Sequence, residues 1–204
     1  MPSSSDSADP RPLWHRLALI ARVVPAWVLQ PISGAAQRIL LFLCRRSLRR
    51  DHPVHQGMGL WTEGTNADLY LQRLKSALDL LSAHAPVYLR WLRSSFQSLL
   101  ITQLFMIMRR TTYPDYGARL VMIHPYTAWK VSSEQLALYL AADATRGRLG
   151  LRFRRGRAAT TRGNRRALQE MVACARMLPS GERLVTRWEQ YLAEFDRRFP
   201  EAAA

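Results

Sequence analysis

The run Phe96–Met108, "FQSLLITQLFMIM", decides the fold class. A continuous apolar stretch of this kind suits a buried strand or a buried helix, and periodicity alone does not separate them. It is β-branched in part and ends at the turn signal "RRTTYPDYG", which favours a strand. Ala118–His124, "ARLVMIH", then reads as its partner, and the two are expected to pair as a long hairpin. Helix is the competing reading of the first run.

Working outward, the flanking sequence is helical. Ala67–Ala85 places Leu71, Leu74, Leu78 and Leu81 on one stripe of an amphipathic helix, with "GTNAD" as its cap. Pro86 follows, and Val87–Arg93 reads as a second short helix. Ser132 with Gln135 is a capping-box pattern, so a helix should start near Ser133 and run to Leu149 before Gly150. Further helices fit Arg165–Leu178 and, after the break at Pro179, Glu182–Phe199. Helices around a small antiparallel sheet make an α+β domain, expected over residues 67–199.

The segments before it differ in composition. Residues 1–12 are rich in Ser, Asp and Pro with little to bury, and are expected to be disordered. Residues 13–50 form an apolar, basic arm expected to be helical, interrupted by Pro25, Pro31 and Gly34 and ending in "RRSLRR". Arg22 and Arg38 would be expensive in hydrocarbon, which argues against a span of about 20 residues across a bilayer. The interruptions and the acidic residues before the run argue against a secretory leader. Two readings stay open for the arm. It lies in a membrane interface with Trp14 and Trp27 at headgroup level, or its apolar faces pack on the domain. Residues 51–66, "DHPVHQGMGLWTEGTN", read as a linker, and Pro53 between His52 and His55 argues against a shared metal.

Charge narrows the partners. Thirty Lys+Arg against fifteen Asp+Glu give a formal +15 and a pI near 11.2. That balance fits anionic lipid headgroups, nucleic acid or an acidic protein surface, without choosing among them. Cys44 and Cys174 are too few and too far apart in sequence for a disulfide framework, as expected of a reducing compartment.

The segment "SSEQLALYLAADATRGRLG" together with the later "RRALQEMVACARMLP" resembles a small group of uncharacterised bacterial proteins. They carry H-E-A-T-H-A-R-L where this chain has Ala142–Leu149, and look like zincin-type metallopeptidases. The resemblance covers roughly residues 65–198. In such a helix two His one turn apart hold zinc, and the Glu beside the first is the general base on bound water. The resemblance puts the first ligand position at Ala142, the base position at Asp143, the second ligand position at Arg146, and a carboxylate ligand at Glu170. Alanine cannot ligate, and a guanidinium repels a divalent cation. Arg146 is therefore expected in the former metal cavity, paired with Asp143 or Glu170. A plain helix that packs its alanines and exposes its Asp and Arg would satisfy the same letters. Residual hydrolysis would need other ligands, such as His124 and Glu170, to gather.

Between the last helices lies an arginine-rich stretch, Arg146–Arg166, with no acidic residue and with Gly147, Gly150, Gly156 and Gly163. Read as a flexible loop, it offers Arg148, Arg152, Arg154, Arg155, Arg157, Arg162, Arg165 and Arg166 to an anion. No nucleotide-binding or nucleophile motif is present. The sequence thus leads to a non-catalytic pseudoenzyme that acts by binding, without cofactor or metal, in the cytoplasm or peripheral on the cytoplasmic face of the inner membrane. The alternative is a basic nucleic-acid or anion-binding protein working through Arg148–Arg166.

Overall fold

The segment expected as a linker opens the sheet instead. Val54–His55 (β1) and Met58–Thr62 (β2) pair antiparallel across the two-residue turn Gln56-Gly57. Both turn residues have positive φ, 48° and 69°, the backbone that matches the twist of a tight hairpin. Glycine adopts it freely, and Gln56 is held there by its neighbours. Its carbonyl accepts from Arg93 Nε, and its amide donates to Asp79 Oδ1 at 2.9 Å. His55 Nε2 meets the same carboxylate oxygen at 2.7 Å. Composition marked this stretch as a loop, and contacts distant in sequence make it a hairpin.

In the computed structural model the described residues are 52–62, 66–102, 112–150 and 157–202. The terminus expected to be disordered and the arm expected over 13–50 lie outside them, as do Arg152, Arg154 and Arg155. After β2, helices α1 (Ala67–His84) and α2 (Pro86–Ser95) carry the chain over to β3 (Ser98–Ile101), which lies parallel to β2. Pro86 occupies the first turn of α2, where its missing N–H costs nothing. β4 (Thr112–Asp115) and β5 (Leu120–Ile123) complete a five-stranded sheet in the order β1-β2-β3-β5-β4.

The fold is α+β, but its sheet is mixed where an antiparallel one was expected. β3 and β5, expected to form a hairpin, run parallel, and the hairpin partner of β5 is β4, whose "TYPD" had read as a turn. Pro114 fits there because β4 is an edge strand, where a missing donor is tolerated. The turn is set by Asp115, whose Oδ1 accepts from the N–H groups of Gly117 and Ala118 at 2.9 and 3.1 Å. Leu120 to Ile123 are all buried, the signature of a strand covered on both faces.

Four more helices follow: α3 (Pro125–Lys130), α4 (Ser133–Arg148), α5 (Arg157–Met177) and α6 (Gly181–Arg198). Ser132 caps α4 by accepting from Gln135 N at 3.2 Å, as its capping pattern predicts. α5 begins at Arg157, well before the expected Arg165, so part of the supposed arginine loop is helix. α4 packs against α1, α2 and α5, and α5 against α6. Being surrounded, α4 is apolar on most sides, with Leu136, Leu140, Ala141, Ala142 and Ala144 all buried. Its alanines let neighbouring helices approach closely. Among the described residues no helix is long and apolar enough to cross a membrane.

Candidate functional site

The spacing of α4 brings Asp143 and Arg146 together one turn apart. Asp143 is fully buried, and its Oδ1 accepts from Arg146 Nη1 at 2.9 Å. Arg146 keeps about a quarter of its side chain exposed (28%) and donates from Nε to Asn164 Oδ1 of α5 at 3.2 Å. Asp143 Oδ2 is buried without a hydrogen bond of normal length, although the Thr112 side chain lies near enough to favour the charged carboxylate. Burial outweighs both partners and pushes the carboxyl above its ordinary range. Ala142 is 2% exposed and belongs to the apolar core. The reading of this helix with Asp and Arg turned to solvent is therefore corrected at Asp143.

Glu170 does not join this pair. It is buried on α5, where Oε2 accepts from the Tyr88 hydroxyl at 2.6 Å and Oε1 meets Arg166 Nη2 at 2.6 Å. Both carboxylate oxygens are satisfied, one by each flank. Cys174, one turn further along α5, is buried beside it, and burial with that negative charge pushes the thiol up to about 12. A thiol so held is a packing residue, not a nucleophile.

Three of the described histidines sit in different settings. His124 ends β5 and caps α3, its Nδ1 accepting from Tyr126 N at 3.0 Å, and burial lowers its pKa. His55 is turned to Asp79, whereas the ring of His52 lies 6.1 Å from that of Trp61. Among the described residues no three His, Cys, Asp or Glu side chains converge as a metal site would require.

The arginines divide into two groups. Arg165 makes a two-pronged ion pair with Asp196 of α6, at 2.7 and 3.0 Å, and Arg166 is tied to Glu170. The Arg165 pair ties α5 to α6, whereas the Arg166–Glu170 pair lies one turn apart within α5 itself. Arg148 and Arg162 are exposed, the first with its guanidinium 4.3 Å from the Trp91 ring centre. The backbone of Arg157 starts α5. Asn164, which the sequence offers as a phosphate donor, is instead the partner of Arg146, and sequence reasoning missed this pairing and the roles of Tyr88 and Asp196 because each meets its partner across a gap of 18 residues or more. No local pattern announces such pairs. No family profile, curated protein or solved structure matches this chain.

Proposed function

We propose that the chain is a non-catalytic binding protein for an anionic partner, built on a helix like that of a zincin whose ligand positions have been replaced by a salt bridge. The observation that carries the reading is the position of Arg146, fixed between Asp143 and Asn164. An enzyme of that class needs an imidazole at this position and a free carboxylate beside the first ligand, to take a proton from metal-bound water. Here the carboxylate is engaged and its neighbour Ala142 has no donor atom. Binding is then the chemistry left, and the charge of +15 directs it to anions.

The exposed Arg148 and Arg162, with the arginines of residues 152–155, supply the contacts. A seat at the cytoplasmic face of the inner membrane belongs to the same proposal, supported by the apolar and basic composition of residues 13–50. Two measurements on the untagged full chain test it. Elemental mass spectrometry followed by zinc titration of the chelated protein should give less than stoichiometric metal; one tightly held zinc, lost in His124→Ala or Glu170→Gln, returns the chain to the hydrolases. Retention on a phosphate-bearing resin should fall steeply with salt. Flow-through at low salt removes the anion-binding reading.

A further inference from the structure

A cleft of about 380 Å³ lies where the C-terminal ends of α2 and α4 meet the turn between β4 and β5. Its walls are Ser94, Ser95, Tyr116, Gly147, Arg148 and Gly150. Two glycines shape it. A methyl group at Gly147 would stand 2.4 Å from Ser95 Oγ, so α4 passes α2 with the serine hydroxyl against its backbone. Gly150, at φ +59°, has nothing within 4 Å of where its side chain would be, so the cleft is open on that side.

The end of a helix normally presents carbonyl oxygens, which repel anions. At the end of α2 two of them are engaged by a cation. Arg119 Nη2 donates to the carbonyl oxygens of Ser94 at 3.1 Å and Arg93 at 3.4 Å, covering the last turn of α2. Arg148 adds a cation in the wall itself. Its guanidinium carbon lies 4.3 Å from the Trp91 ring centre, a cation–π contact that consumes no N–H hydrogen bond. Tyr116 is a hydroxyl donor that does not ionise, because burial and the nearby Asp143 both push its pKa up. The Asp143 charge is itself buried and paired with Arg146.

We propose that this cleft is the anion site of the protein and takes a phosphate group, with Arg148 as the ion-pair partner and the Ser95 and Tyr116 hydroxyls as donors. The proposal rests on the anion-binding reading above and locates it. A soluble phosphate compound and a phospholipid headgroup both present this group, and the two arms of the test separate them.

Inorganic phosphate is titrated calorimetrically into the full-length protein at low salt, in parallel with cosedimentation on phosphatidylcholine vesicles with and without phosphatidylglycerol. The variants are Arg148→Gln and Tyr116→Phe, with Arg183→Gln on the exposed side of α6 as the charge control and circular dichroism as the check on folding. Saturable phosphate binding is expected, weakened about tenfold by Arg148→Gln and a few-fold by Tyr116→Phe, and within twofold of wild type in Arg183→Gln. The same ranking on anionic vesicles assigns the phosphate to a headgroup; the ranking with free phosphate alone assigns it to a soluble ligand. Equal small losses in Arg148→Gln and Arg183→Gln overturn the cleft while leaving general anion binding intact. A wild-type protein that ignores phosphate, vesicles and the phosphate-bearing resin overturns both.

Discussion

Asp143 is a carboxylate with no exposed surface, and its protonation is coupled to the stability of the domain. Its pKa is raised in the folded chain, so the native state holds this proton more tightly than the unfolded state does. Stability from this group is fully present below the unfolded value of about 3.8 and is lost as pH rises through the higher folded value. Urea denaturation of wild type and Asp143→Asn, from pH 7 down to 4, should therefore show the wild type gaining on the variant as pH falls. A difference that stays flat, or that falls on acidification, refutes the raised pKa. Arg146→Ala leaves the buried charge unpaired and should cost about 3 kcal/mol at pH 7, and clearly less at pH 4, where the proton substitutes for the guanidinium. At this scale the sequence was informative where partners are close along the helix. The Asp143–Arg146 pair follows from three-residue spacing, whereas the Arg146–Asn164 bond depends on how α5 crosses α4, which no local pattern encodes.

At the scale of elements, the helices were legible and the strand pairings were not. Apolar periodicity predicts α1 and α4 nearly to the residue, because a stripe of leucines or a capping serine acts within one segment. Pairing is a property of two segments. α1 and α2 carry the chain back so that β3 lies parallel to β2, and β4, although it precedes β5 in the chain, pairs on its far edge and leaves β5 beside β3. The β1–β2 hairpin was hidden for a related reason: its turn residue Gln56 has no strong preference for positive φ and is held by Arg93, Asp79 and Ser82. Gly57 is the intrinsic part of that turn. Alanine there would be forced to φ near +69°, with its methyl 3.2 Å from Arg93 Nε. Gly57→Ala should lower stability by about 1–2 kcal/mol, read as a shifted urea midpoint with an unchanged slope. A midpoint equal to that of wild type shows that the turn does not need its left-handed glycine.

At the scale of the whole molecule, the excess of fifteen positive charges is unevenly available. Composition shows the excess, but only the structure separates arginines that build the fold from those that face a partner. Arg165 is committed to Asp196, a joint between α5 and α6, and Arg166 to Glu170 one turn along α5 itself. Solvent screens partly exposed pairs of this kind, and substituting Arg165 should mainly loosen the packing of α6. The arginines at 152, 154 and 155 have no acidic residue near them in sequence, and on the anion-binding reading they act as free cations. Each phosphate contact releases about one counterion, so the slope of log affinity against log salt counts such contacts. Replacing Arg152, Arg154 and Arg155 together by Gln should flatten that slope by about two on a phosphate-bearing polyanion such as single-stranded nucleic acid, and leave the thermal midpoint within a few degrees of wild type. Arg165→Gln should do the reverse, leaving the slope unchanged and lowering the midpoint. If both substitutions flatten the slope alike, the partner senses only net charge, and the division between structural and binding arginines fails.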